Sequence, residues 1–557
     1  MSKIKFFALG GLGEDGKNMY LIDINNKLFI LDAGLKYPTQ ELFGVDCIIP
    51  DLSYIEQHKD RIAGLFLSHG HEDHIGAVNK LLKIVNPPIY GSSFTLEILK
   101  DSLKDDDISV DDLNMFTVDG SKTMRFDDIT VDFFRVTHSI PETLGIAINT
   151  PDGTIVYAAD YSFNQSVSMH YKTDYAKLSQ IAGRNILALL TESLGADQMN
   201  SNPDNTQLDY ALNQAFMEAE SRIIVSAFST DLSRIQKVID IALKYDKDIA
   251  IIGRKTQRIV DIAVNLGYLP IPKDKLKRLR FIDDHNKNEL KNGVVLVAGE
   301  RHEPFYMLQR MVKKIDRLIH INQADTIISL TPPIPGTENI AARTLDILYR
   351  NDVNMIKIDK SILPKAHASA NDIQLLVNML EPRYIVPIIG EYRHQYAVKD
   401  IMMQMGYSDN NIITLENGEV ATFINGKIKD TSERYKTDDF LVDGILEGDL
   451  SDVVLRDREM LAQDGVMLLI ANVDARKKVL VSEPEVVSRG FVYMKENEDL
   501  IDDVKEAFKR ISEKEFKGGY INWRDYKKHV RDEIGNFLYN KTKRRPILIP
   551  VLIDTQL

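Results

Sequence analysis

Residues 64–75 read Gly64-Leu65-Phe66-Leu67-Ser68-His69-Gly70-His71-Glu72-Asp73-His74-Ile75, an apolar strand that runs directly into His69, His71, Asp73 and His74. Imidazole nitrogen and carboxylate oxygen are the donors that suit zinc or manganese. A strand-end loop can aim neighbouring side chains to opposite sides, so this cluster can serve two adjacent ions. Three of the 12 histidines of the chain stand here together, which weighs against a merely polar surface loop. Residues 75–85, with apolar positions at helical spacing, follow as a helix.

Working outward, three isolated residues sit at the ends of other apolar strands and can complete such a site. His138 follows residues 129–136, Asp160 follows residues 155–159, and Asp32 lies in Leu31-Asp32-Ala33-Gly34. Each alone has an ordinary structural reading: a hydrogen-bonded histidine at a strand end, or an aspartate that opens a turn. Asp32 can also orient a ligand histidine from behind.

Composition sets the limits around this site. A length of 557 residues implies three or four domains. With 44% hydrophobic and 27% charged residues the chain is globular, not disordered. No stretch approaches the roughly 18–20 apolar residues of a membrane span, and the start lacks the apolar core of a signal peptide, so a cytoplasmic protein without membrane contact is expected. Cys47 is the sole cysteine, which excludes an intrachain disulfide and cysteine-based zinc sites. The net charge of −13 repels polyanions globally, so nucleic-acid contact would need local basic patches. Residues 273–280 and 541–545 are candidates, although a charge run is ordinarily a solvated face.

The pattern along the chain is α/β. Strand-rich residues 1–207 give way to helical periods at 208–220 and 233–245, alternating with strands at 222–227, 249–252, 294–298 and 326–330. That alternation predicts a doubly wound parallel sheet. After the proline-rich residues 332–336 and a helix at 338–350, a strand at 355–358, a helix at 370–380 and a strand at 384–389 resume the first style. The middle domain therefore reads as an insertion: residues 208–352, between 1–207 and 353–424. The polar residues 425–437 open a linker at 425–450. Residues 451–557 form a small α+β domain with strands at 466–473, 490–494 and 546–553. Its first helix carries Leu500, Val504, Phe508 and Ile511 on one face, and its second lies near 523–538.

Taken in chain order, Asp32, the His69–His74 cluster, His138 and Asp160 resemble the metallo-β-lactamase fold. Gly10-Gly11-Leu12-Gly13-Glu14-Asp15-Gly16-Lys17-Asn18-Met19, residues 29–35, His138-Ser139-Ile140-Pro141 and Gly390-Glu391-Tyr392-Arg393 narrow the resemblance to the ribonuclease J family, over essentially the whole chain. The resemblance implies an αββα sandwich, an inserted β-CASP domain, a small C-terminal domain and a pair of divalent ions for phosphodiester hydrolysis. By it, His69, His71 and His138 would hold one ion, Asp73 and His74 the other, and Asp160 would bridge. Asp73 would help supply the nucleophile. His367 would give a proton or touch the phosphate, and Thr230 with Leu363, Pro364, Lys365, Ala366 and His367 would line the RNA path. Zinc is the implied ion, with manganese or magnesium possible for activity. The implied partners are single-stranded RNA, further copies of the chain, and an active paralogue of the family.

This sequence also departs from the family. Where the family has a histidine that completes the second ion's ligands, Pro387-Ile388-Ile389-Gly390-Glu391 offers Ile389, so the second ion should bind weakly; His394 is too far along the chain to replace it readily. Lys365-Ala366-His367-Ala368 keeps the histidine and changes the residues before it. Phe228-Ser229-Thr230-Asp231 and Val297-Ala298-Gly299-Glu300 bring carboxylates to the expected phosphate path, and Thr191-Glu192-Ser193 has Glu for the usual Asp. Carboxylates in a cleft of lowered dielectric work against a phosphodiester. Two expectations follow, both of a second paralogue type: a weakly active 5′-to-3′ exonuclease and possible endonuclease in RNA processing and decay, or an inactive subunit that positions RNA for an active ribonuclease J.

Overall fold

The computed structural model describes residues 2–38, 44–106, 108–164, 167–198, 203, 205–282, 290, 292–334, 336–444, 452–491, 497–517 and 521–555. Two compact units share the chain: residues 1–37 with 48–440, and residues 38–47 with 441–557.

In the first unit two sheets face each other. One has eight strands in the order Lys427–Arg434, Glu419–Ile424, Lys3–Gly10, Met19–Ile24, Lys27–Leu31, Ile62–Phe66, Ile89–Gly91 and Met115–Thr117. The other has six, in the order Tyr384–Ile388, Ile186–Glu192, Gly153–Ala158, Leu144–Thr150, Ile129–Arg135 and Thr123–Phe126. Side-chain alternation along each strand decides the layers. Phe6 and Ala8 join Tyr20, Phe66, Val131, Ile146 and Tyr157 between the sheets. Phe7 and Leu9 turn outward onto Ile55, Val78, Leu81 and Leu99 of flanking helices. On the other outer face Phe134, Val156 and Leu189 pack against Leu178, Leu376 and Val398. This is the expected four-layered αββα sandwich.

The inserted domain is built on a wholly parallel sheet in the order Leu276–Lys277, Asp248–Ile252, Gly293–Gly299, Ile223–Phe228, Thr326–Ser329 and Asn354–Lys357. Apolar clusters cover both of its faces, as a doubly wound sheet requires. At one end of this sheet Arg222, almost fully buried, donates to both carboxylate oxygens of Asp325 at 3.1 and 2.5 Å and to the His320 carbonyl at 2.7 Å. Removing one partner leaves a buried charge uncompensated, at a cost of about 3–5 kcal/mol. Asp325→Ala should accordingly lower the unfolding free energy by that amount, read as a lower urea midpoint at unchanged slope, and an unchanged midpoint would refute the assignment.

Several sequence expectations are corrected here. Residues 425–437 are not a linker: Lys427–Arg434 is an edge strand paired with Glu419–Ile424. Both of its faces are largely exposed, so it has no apolar alternation to announce it. Residues 445–450 of that expected linker lie outside the described residues. The inserted domain does not end at 352, because Asn354–Lys357 pairs with Thr326–Ser329 in its sheet. Its first helix also begins earlier, at Asn205–Glu218. Lys275 and Lys277 of the basic run are ion-paired locally, with Asp246 at 2.6 Å and Asp248 at 3.6 Å.

The second unit has Val466–Asp474 at its centre, parallel to Ile547–Asp554 and antiparallel to Glu485–Arg489. That last strand ends just before the expected strand 490–494, of which residues 492–494 lie outside the described residues. Gly490 has φ 72° and turns the chain. Helices Glu498–Phe516 and Trp523–Thr542 cover the sheet with Val504, Phe508, Val530, Ile534 and Leu538. A further helix, Asp452–Asp464, precedes them. Among the described residues no helix is long and apolar enough to cross a membrane.

Candidate metal centre

Ile62–Phe66, Ile129–Arg135, Gly153–Ala158, Ile186–Glu192 and Tyr384–Ile388 all end at one edge of the sandwich, and the next few residues of each carry the candidate side chains. His69, His71 and His74 follow the first strand, with His71 at the N-cap of the short helix Glu72–Ile75. Close approach of the neighbouring loop is possible only because residue 34 is glycine: a Cβ there would lie 1.6 Å from the Asp73 carbonyl oxygen.

Three groups of donor atoms, each within 4.8 Å of one another, share Asp160: His69, His71 and His138; Asp73 and His74; and Glu192 with His367. Asp160 Oδ2 is 3.4 Å from His69 Nε2, 3.6 Å from His74 Nε2 and 3.6 Å from His138 Nε2. His71 Nδ1 is 3.1 Å from His69 Nε2 and 3.2 Å from His138 Nε2. Each imidazole uses its other nitrogen on the protein. His69 Nδ1 meets Ser68 Oγ at 3.0 Å, His71 Nε2 the Thr230 carbonyl at 2.9 Å, His138 Nδ1 the Ala366 carbonyl at 2.9 Å, and His74 Nδ1 donates to Asp32 Oδ2 at 2.8 Å. Asp32 is fully buried at φ 59° and also accepts from Ser68 N, Ser68 Oγ and the Tyr157 hydroxyl, which makes it the orienting partner and not a turn residue.

This arrangement fits a divalent ion. Four inner nitrogens converge with their outer nitrogens already committed, the usual second layer of a metal site. Asp160 Oδ1 is buried with no hydrogen-bond partner; His367 Nδ1 stands 3.7 Å from it. A buried carboxylate oxygen left in that state is costly unless a cation meets it.

The electrostatics separate the ligands into two kinds. Burial, reinforced by the neighbouring His69, holds the His71 imidazole down to about 4, and burial holds His138 far below its ordinary value, so both are neutral at pH 7. Burial opposes charge on His74, yet Asp73 and Asp32 beside it raise its pKa strongly. Burial also opposes charge on Asp73 and Asp160, but His74 holds the first, and His367 with His74 the second, below the usual carboxylate range. Glu192 is pushed up to about 7 by burial, against the attraction of His367. Burial disfavours the His367 cation, and Asp160 and Glu192 overcome that. His367 donates from Nδ1 to Glu192 Oε2 at 2.9 Å, while Glu192 Oε1 accepts from Tyr161 N and Ala368 N.

The remaining candidates are placed as follows. Thr230 meets His71 through its carbonyl, Ala366 meets His138 through its own, and Pro364 accepts from Arg234 at 3.2 Å. Leu363 is corrected: it is buried in the inserted domain's apolar core, because its side chain completes a cluster with Leu232 and Ile358. Lys365 is half-buried beside His367 in sequence. His394 is no substitute ligand, since Nδ1 accepts from Glu391 N in a capping box. Ile389 is buried and holds φ 51°, a conformation unusual for a β-branched residue. Sequence reading missed Asn18, whose Nδ2 is 3.1 Å from His74 Nε2 and 3.3 Å from Asp73 Oδ2. It stood in a quoted motif, but nothing in its type marks it as a neighbour of residue 74.

Comparisons with known proteins identify the domains. Residues 12–192 match the metallo-beta-lactamase superfamily, 220–348 the ribonuclease J beta-CASP domain, 360–414 the Zn-dependent metallo-hydrolase RNA specificity domain, and 453–555 the ribonuclease J C-terminal domain. Ribonuclease J 2 of Staphylococcus epidermidis is 34% identical over 551 residues, covering 99% of this chain and 98% of its own. Ribonuclease J 2 of Staphylococcus aureus gives the same identity and coverage. A crystal structure of a protein of unknown function from Enterococcus faecalis shares the fold at a TM-score of 0.52 and 14% identity, over 76% of this chain and all of its own. With relatives at this identity aligned from end to end, the chain belongs to the ribonuclease J family.

Proposed function

We propose that this protein is a metal-dependent ribonuclease that processes and degrades single-stranded RNA. The observation that carries the reading is the buried meeting of His69, His71, His138 and Asp160, with every imidazole held from behind. Asp73, His74 and Asp160 form the second ion's partial set. When bound, divalent ions supply activated water at neutral pH and offset charge on the phosphate oxygens. Zinc suits the nitrogen-rich first set, and manganese or magnesium suits the oxygen-richer second. Asp160 holds its carboxylate between the two sets. Asp73 is partly exposed beside them and directs the attacking oxygen. His367, charged and with Nδ1 fixed by Glu192, is left with Nε2 to donate a proton or to steady the scissile phosphate.

With Ile389 in place of a ligand, activity is low, 5′-to-3′ and in part internal. The protein works as an oligomer, and in complex with an active paralogue in the cytoplasm. A wholly inactive scaffold is disfavoured because the first donor set is complete. The test is incubation of the purified chain with 5′-monophosphorylated single-stranded RNA and manganese. Slow shortening that stops with a chelator and is abolished in Asp73→Ala/His74→Ala is expected. RNA left intact at high enzyme concentration would overturn the reading in favour of the scaffold.

A further inference from the structure

We infer that the inserted domain is part of the metal centre, with Lys255 as a positioning residue whose ion pair to Glu72 holds it closed, so that closure and ion binding are linked. This rests on the metal reading above.

Contacts on two sides support it. Thr230, in the loop after Ile223–Phe228 of the inserted sheet, accepts from His71 Nε2 at 2.9 Å and from Ser139 Oγ at 3.1 Å, and Ser233 N donates to the Ser139 carbonyl at 2.9 Å. Arg234, on the first turn of the next inserted helix, donates to the Pro364 carbonyl at 3.2 Å, two residues before the carbonyl that holds His138. On the other side Glu72, between His71 and Asp73, is paired with Lys255, which is also paired with Glu300. The Tyr37 hydroxyl donates to Glu72, and the Arg301 guanidinium lies 5.8 Å from the Tyr37 ring centre. Tyr37 and Glu72 belong to the sandwich; Lys255, Glu300 and Arg301 belong to the inserted domain.

The physical consequence follows from the reach of a hydrogen bond. A shift of about 1 Å takes the Thr230 carbonyl out of range of His71. The ring then loses the partner that fixes its orientation, and the Nδ1 lone pair is no longer aimed at the ion. Partners of this kind are worth about 10–100-fold in metal affinity. By linkage, whatever favours closure tightens the ion, and the ion favours closure by the same factor. The pairs of Lys255 are partly exposed, so salt screens them.

The experiment measures zinc affinity of the full chain by chelator competition, together with hydrogen exchange of residues 226–235. Lys255→Gln and Lys255→Met, which touch no ion, should each weaken zinc about tenfold. Raising salt should weaken zinc in the parent chain and not in Lys255→Gln. In the parent chain, zinc should slow exchange at residues 226–235, a readout that needs no substitution. Unchanged affinity in both variants, without zinc-dependent protection, would overturn the inference. So would variants that alter RNA binding alone. A parent chain that binds no zinc would instead remove the metal reading itself.

Discussion

Asp160→Asn is expected to empty both ion sites and to abolish RNA cleavage while leaving the fold intact. Asp160 is the one residue common to all three donor groups, its Oδ2 lies 3.4–3.6 Å from three imidazoles, and it is 1% exposed. The amide is nearly the same size, so packing is retained, but the charge that balances a dication is lost. A loss of roughly 4 kcal/mol of transition-state stabilisation corresponds to about a thousandfold in rate. Bound metal by mass spectrometry, far-ultraviolet circular dichroism and cleavage of a labelled single-stranded RNA check the three parts. A variant that keeps its ion and its rate would remove Asp160 from the centre.

The second large effect is a gain. Ile389→His should raise the affinity of the second ion at least about tenfold, on the scale of a restored metal partner, and raise the cleavage rate with it. The backbone is already prepared for that residue. Ile389 N donates to the Gly11 carbonyl at 2.9 Å, and its own carbonyl accepts from Ser193 N at 3.1 Å and Ser193 Oγ at 2.8 Å. These bonds hold a left-handed conformation that a β-branched side chain resists, at a cost on the order of 1–3 kcal/mol. Histidine visits that region more readily, so the substitution relieves strain while removing an apolar group from between the sheets. Metal titration of the two proteins in manganese, by isothermal calorimetry, decides it. Identical second-ion affinity would mean that Ile389 does not occupy a ligand position.

How much of this was legible in the sequence depends on how far apart the partners are. His69, His71, Asp73 and His74 are contiguous, so residue type and spacing alone disclosed them, and strand ends located His138 and Asp160. The alternation of apolar strands with helical periods disclosed the parallel sheet, while the sandwich came only from the family resemblance. What stayed hidden was whatever rests on tertiary approach. The carbonyls of Thr230 and Ala366 orient two candidate ligands, but a backbone carbonyl has no residue-type signature. Glu72, Lys255 and Glu300 meet across 228 positions of chain, and each alone reads as a solvated charge. Leu363 was drawn into the substrate path by its neighbours in sequence, whereas its side chain turned to the core. The strand Lys427–Arg434 hid because an exposed edge needs no apolar face.

The account turns on an ion held by three imidazoles and one carboxylate in the sandwich edge. X-ray absorption at the zinc edge, on protein loaded with one equivalent, tests that most directly. It should show three nitrogen neighbours at about 2.0–2.1 Å and at least one oxygen, with the signal lost in His69→Ala and in His138→Ala. Zinc that stays in solution, or a bound ion whose surroundings are unaltered by either substitution, would contradict it.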